Sequence, residues 1–292
     1  MESARLEVTK TWKLFIGGQF PRSESGRTAA IADARGRPLA HVARASRKDL
    51  RDAVAAARRA QGSWSRRTAY NRGQVLYRMA EILEGRTAEF ATLIGATSVG
   101  GPKRAAREVA AAVDRLVGFA GWADKYPQVL GTHNPVAGPY YNFTVPEAVG
   151  VVGVLAPGEQ PLLALISLLA PPLCAGNAIV ALGSEDHPLA TVLLGEVCAT
   201  SDVPHGVVNL LTGRRSDLLR EFASHRDVDA IHAAGCAKAE RRTLEAGAAG
   251  NLKRVTVRAT AGAAWYLDRA CDGPDQIEPF VEMKTIWHPS AA

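Results

Sequence analysis

Five apolar runs punctuate the second half of the chain: GVVGVLAP, AIVAL, GVVNLL, VDAIHA and KRVTVRA. Residues 161–175, 188–200, 216–224 and 237–246, which lie between them, carry helical patterns. A run apolar at successive positions, not alternate ones, belongs to a strand buried on both faces. Intervening helices of this length serve as crossovers and covering layers. The pattern therefore predicts an α/β fold with a parallel sheet packed on both sides. Such sheets bind ligands beyond the carboxyl ends of their strands. VLAPGEQPLL lies at one of those ends. Read alone, Glu159 in that turn could be a general base, a structural charge or the remnant of a lost site.

The first half reads differently. KLFIGGQF suggests a hairpin around Gly17-Gly18. Ser46 and Asp49 form a capping box ahead of a helix whose Leu50, Val54 and Ala57 recur at helical spacing. Residues 71–97 read as one long amphipathic helix or as two joined near Gly85. Residues 101–126 give a further helix, with Pro102 near its first turn. PYYNFTVP and FVEMKTIWHP alternate like strands, and DRACDGPDQIEP between the parallel sheet and the second of these reads as a loop. We find no internal repeat.

Composition narrows the function classes. The 292 residues are 47% hydrophobic, enough for a substantial core. The net charge of +6 is spread along the chain, and clusters such as Arg47-Lys48 and Arg66-Arg67 read as solvated surface, so no nucleic-acid partner is expected. No CxxC pair or metal-ligand spacing occurs among Cys174, Cys198, Cys236 and Cys271, which suggests a reducing compartment and no metal site. The amino-terminal segment has no apolar core of a secretory signal, and residues 161–175 are too short to cross a bilayer. A cytoplasmic protein without a membrane partner is expected. Cys174 and Cys198 read as packing residues, Cys271 as a loop or packing residue, and His232 as a hydrogen-bonded structural histidine.

The ordered series LFIGGQF, DLRDAVAAARRAQGSW, RGQVLYRMAEIL, PEAVGVVGVLAP, LLAPPLCAGNAIVAL, DVPHGVVNLLTG, HRDVDAIHAAG and NLKRVTV resembles the aldehyde dehydrogenases from about Leu14 to Val257. FVEMKTIW resembles the carboxyl-terminal strand of the same family. The resemblance implies a Rossmann-like cofactor domain, N-terminal helices and a small bridging β-sheet. Family members place a catalytic domain between the segments that end here at Val257 and resume at Phe280. Only 22 residues, 258–279, fill that interval in this chain. The layout resembles the shortened, catalytically incomplete second module of family-16 two-module aldehyde dehydrogenases.

Residue by residue, the resemblance implies lost chemistry. The family needs a thiolate nucleophile, an oxyanion donor and a base. Its Pro-Trp-Asn-Phe-Pro turn is here Pro157-Gly158-Glu159-Gln160-Pro161, and an ionised Glu159 cannot donate to an oxyanion. Its catalytic glutamate aligns with Arg258, which cannot act as a base. The thiol would lie in the missing interval, and Cys271 has the wrong spacing. No catalytic residue is therefore assigned; Glu159 and Arg258 mark degenerate positions and are expected to meet as an ion pair. The family's ribose-binding Lys-Pro-x-Glu becomes Leu182-Gly183-Ser184-Glu185, leaving Glu185 as either a vestigial ligand or an exposed loop acid. The phosphate turn retains Gly235 and gains Lys238, while Glu240 puts an anion where a pyrophosphate would dock. Glu185, Gly235 and Lys238 are the vestigial cofactor residues. No cofactor is expected, with weak NAD or NADP binding as the alternative.

The implied organisation is a cofactor-domain body of residues 1–132 and 146–270, bridging or oligomerisation strands at 133–145 and 280–292, and a loop at 271–279 replacing the catalytic domain. The implied function is that of a pseudoenzyme, pairing through 138–145 and 280–287 with itself or with a full-length aldehyde dehydrogenase. Two alternatives stay open: an NAD(P)-dependent oxidoreductase acting on aldehyde groups, and a non-catalytic nucleotide-binding module.

Overall fold

A computed structural model describes residues 9–97 and 100–290. Residues 1–8, 98–99 and 291–292, which belong to the expected body and bridging segments, lie outside the described residues.

The chain begins with β1 (Thr11–Trp12), β2 (Thr28–Ala32) and β3 (Pro38–Ala43), then α1 (Arg47–Ser65), α2 (Ala69–Gly85), α3 (Thr87–Thr97), α4 (Gly101–Trp122) and α5 (Tyr126–Leu130). β4 (Thr132–Asn134) and β5 (Tyr140–Ala148) lead into the alternating half. That half comprises β6 (Val151–Leu155), α6 (Leu163–Cys174), β7 (Ala178–Leu182), α7 (Leu189–Thr200), β8 (Val208–Leu211), α8 (Arg215–Ser224), β9 (Ala230–Ala234), α9 (Lys238–Ala249) and β10 (Arg254–Arg258). A strap of short helical turns containing α10 (Asp268–Cys271) then connects to β11 (Val281–Pro289).

The expected parallel sheet is present, in the order β10-β9-β6-β7-β8. β6, β7, β8 and β9 are buried throughout, which is why their sequences do not alternate. Each nonetheless serves two cores. Val152 and Val154 face the layer of α6, α7 and α4, while Val151 and Leu155 face α1, α8 and α9. α6 is buried on every side because α4 covers the face that the sheet does not. Ser46 accepts from the Lys48 and Asp49 amides and Asp49 answers to the Ser46 amide, so the capping box sets the start of α1 as expected.

The expected hairpin shrinks to a single turn. Ile16 and Gln19 exchange backbone hydrogen bonds around Gly17 and Gly18, both at positive φ, and Phe15 pairs with Leu210 along the outer edge of β8. The turn closes a sheet edge instead of starting a separate ribbon. The first half also contains a sheet, β1-β3-β2, where the sequence suggested only a hairpin and helices. β2 is mostly exposed and rich in alanine, so its pattern carries little signal. Residues 71–97 form two helices that break at Arg86.

β5 and β11 pair antiparallel over nine residues, from Val281 with Ala148 to Pro289 with Tyr140, and β4 completes the three-stranded bridging sheet. The region read as a loop is instead a succession of tight helical turns. It buries Cys271 and Ile277 in the main core, where Trp265 just before it and Phe280 just after it are buried too.

Candidate functional site

The candidate site gathers where β6, β7, β9 and β10 end. Beyond Leu155 the chain turns through Pro157 to Gln160 before α6 begins. Gln160 adopts φ 44°, a left-handed conformation costly for a residue with a Cβ. Its buried side chain accepts a hydrogen bond from the Tyr266 hydroxyl at 3.0 Å. Glu159 Oε1 accepts from the Gly262 amide at 2.8 Å and from Trp265 Nε1 at 3.2 Å. On β10, Arg258 Nη2 donates to the Ala270 carbonyl. Burial lowers the Arg258 pKa, and the nearby Arg115 guanidinium adds to this.

The expected Glu159–Arg258 ion pair does not form. Among the described residues, neither side chain is joined to an opposite charge within salt-bridge distance; each is held by the strap instead. The strap offers Glu159 two N–H donors and offers Arg258 a carbonyl, so both charges are satisfied locally.

These contacts define what the turn can do. Glu159 is an acceptor already engaged by two donors. It presents no N–H to an oxyanion, and its bonded oxygen is turned to the strap. Cys271 is buried, its thiol is pushed above its ordinary value by burial, and Sγ donates to the Ala264 carbonyl at 3.7 Å. Those features suit packing and not thiolate chemistry. Burial likewise pushes the thiols of Cys174 and Cys198 up to about 12. His232 is fully enclosed, with Nδ1 at 2.7 Å from the Leu168 carbonyl and its ring against Phe280. Burial drives its pKa down to about 3, so the imidazole is neutral. The carbonyl can only accept, which makes Nδ1 the protonated nitrogen.

One carboxylate behind this turn escaped the sequence reading. Glu108 of α4 is buried and accepts from the Leu162 and Leu163 amides at 2.8 and 3.1 Å, capping α6 from a neighbouring helix. Burial raises its pKa, while the two amides pull the other way. A glutamate on an amphipathic helix gives no sequence signal for such a role.

A second group surrounds the gap between β6 and β9. Gly235 holds φ 62°, and a Cβ there would meet Pro157 Cβ at 2.8 Å, so the turn needs glycine. Glu185 is exposed and accepts from the Arg215 amide at 3.0 Å. Glu240 accepts from the Ala237 amide at 2.9 Å. Lys238 points to solvent and has no hydrogen-bond or ion-pair partner among the described residues, so it does not join Glu185 and Gly235. Arg215, absent from the sequence reading, is the residue around which this group is built. Its signal was present: an arginine in the first turn of a helix opposes the helix dipole and calls for another reason. Among the described residues, no three His, Cys, Asp or Glu side chains are grouped to hold a metal ion, and no helix is long and apolar enough to cross a membrane.

Comparison with known proteins gives a consistent picture. A model of the aldehyde dehydrogenase family matches residues 20–286. Retinal dehydrogenase 2 of Mus musculus is 35% identical over 260 residues, covering 86% of this chain and 49% of that protein. The mitochondrial benzaldehyde dehydrogenase of Antirrhinum majus is 34% identical over 249 residues, 84% of this chain and 46% of its own length. The NAD+ complex of an aldehyde dehydrogenase from Bacillus cereus superimposes with a TM-score of 0.80 at 27% identity, covering 85% of this chain and 50% of that one. The chain thus spans about half the length of the relatives it matches.

Proposed function

The chain belongs to the aldehyde dehydrogenase family, and from that premise we propose that it is a pseudoenzyme of the family, a cofactor-domain module that acts by associating with itself or with a full-length aldehyde dehydrogenase. The observation that carries this reading is the Glu159 carboxylate held by Gly262 and Trp265. An acceptor fixed by the strap stands where the resemblance calls for a hydrogen-bond donor to the reacting oxygen. The 22 residues 258–279 are consistent with it, since they fold into the strap and bury its only thiol, Cys271.

In this reading, residues 1–132 and 146–270 serve as the body, 133–145 and 280–292 as the associating strands, and 271–279 as the link that replaces the catalytic domain. Support for association comes from the bridging sheet, which exposes Tyr140, Tyr141, Met283 and Trp287 and leaves β11 as an edge strand. Four free thiols support a cytoplasmic location. The test has two arms. The purified chain, given short and aromatic aldehydes with NAD or NADP, produces no reduced nicotinamide. Light scattering and capture with a full-length aldehyde dehydrogenase give a dimer or a stoichiometric complex. Turnover by the chain alone, or a strict monomer that captures no dehydrogenase, defeats the reading.

The NAD+ complex of the Bacillus cereus relative favours a second reading, a nucleotide-binding module without catalysis. Calorimetry with NAD and NADP separates the two.

A further inference from the structure

The order of the parallel sheet points to one place for a ligand. From β6 the chain winds outward to β7 and β8, then returns to lay β9 and β10 on the other side of β6. The connections diverge between β6 and β9, and in open α/β sheets the crevice at that divergence is where ligands bind. In this chain a side chain sits there. Arg215 reaches back from the first turn of α8, with its side chain only 13% exposed. Nη2 donates to the carbonyls of Ala156, beyond β6, and Ala234, at the end of β9, at 2.5 and 3.0 Å. Nη1 donates to the Gly235 carbonyl at 3.0 Å and approaches Glu240 Oε2 at 3.5 Å. The same Glu240 oxygen accepts from the Ala237 amide, so a group that an anion would use at the start of α9 is taken by the chain itself. Around these residues remains a cavity of about 200 Å³. Ligand pockets typically measure about 300 to 1,000 Å³.

We propose that Arg215 and Glu240 form a built-in occupant of this crevice. The guanidinium ties the ends of β6 and β9 together, and the carboxylate takes the place of a bound anion at α9. The pair completes the fold without a ligand and excludes a dinucleotide. The geometry of the sheet carries this inference whether or not the chain associates with a dehydrogenase.

The test uses the full chain and three variants: Arg215→Ala, Glu240→Ala, and Arg44→Ala as a control that removes a different ion pair to α8, the one with Asp217. Hydrogen exchange and calorimetry with NAD and with inorganic pyrophosphate are the readouts. The unmutated chain is silent toward both ligands at about 1 mM. Arg215→Ala speeds exchange of the amides in 156–160 and 234–240 by tenfold or more, and Arg44→Ala leaves them unchanged. Glu240→Ala, which keeps Arg215 and frees the α9 amide, gains pyrophosphate binding at least tenfold tighter than the parent. A purely structural arginine would not produce that gain. Binding of NAD or pyrophosphate by the unmutated chain overturns the proposal. So does unchanged exchange in Arg215→Ala, and so does a Glu240→Ala variant as silent as its parent.

Discussion

The two large sheets face opposite demands. In the parallel sheet every residue of β6, β7, β8 and β9 is buried, and Arg215 ties the carboxyl ends of β6 and β9 together. In the bridging sheet β11 is exposed at most positions, and only Asn142 of β5 is fully enclosed. One sheet is finished within the chain; the other leaves an aromatic surface and an edge uncovered. The difference teaches that the burial that stabilises the fold lies in one sheet and the exposed aromatic surface in the other, so substitutions in the two should have separable effects.

The largest effect tests whether the strap belongs to the finished region. Trp265 is fully buried and bonded to Glu159. Trp265→Ala should cost about 3 to 5 kcal/mol in urea unfolding. A cost below about 1 kcal/mol would move the strap into the dispensable category. Next comes the joint between the regions. Buried Asn177 accepts from the Gly150 amide and donates to the Pro172 and Phe280 carbonyls, the last leading directly into β11. Asn177→Ala leaves these groups unpaired and should cost about 2 to 4 kcal/mol, read by the same unfolding curves.

A third, smaller effect is a pH dependence confined to the finished region. Burial holds His232 at about 3, below its ordinary 6.5. The unfolded chain therefore binds a proton that the folded one refuses as pH falls below 6.5. Stability is fully present above that value and declines toward 3, at up to about 1.4 kcal/mol per pH unit. Between pH 6.5 and 5, the parent should lose about 1.6 kcal/mol more than His232→Gln. Equal losses would show that His232 is not the titrating group. The smallest stability effect belongs to the open sheet. Trp287 is 58% exposed, and Trp287→Ser should change folding stability by less than about 0.5 kcal/mol. If the exposed face is the associating one, the same variant weakens dimer or complex formation in light scattering.

What the sequence revealed follows this division. The parallel sheet was legible because burial on both faces leaves continuous apolar runs, and α1 because its capping box is local. β2 was not, since an exposed strand of small residues carries no period, and β3 was not, since its burial is spread over neighbouring positions, Val42 and Ala43 included, and does not alternate. At the site, Gly235 and Glu185 lie beside the crevice, whereas Lys238 is exposed and has no hydrogen-bond or ion-pair partner among the described residues. The Glu159–Arg258 pairing failed because it assumed that two positions flanking a shared cleft would face each other, whereas the strap supplies nearer partners. Arg215 was missed because its acceptors, Ala156, Ala234 and Gly235, are backbone carbonyls brought together only by strand order.

The pairing of β5 with β11 also has a history in time. The hydroxyls of Thr144 and Thr285 meet at 2.9 Å across a separation of 141 residues. At ribosomal speeds of about 5 to 20 residues per second, β5 leaves the tunnel roughly 7 to 30 seconds before its partner strand. Through that interval the nascent chain carries one open strand edge beside a body that is already assembling. Any protein that pairs with an open strand would meet that edge before β11 does.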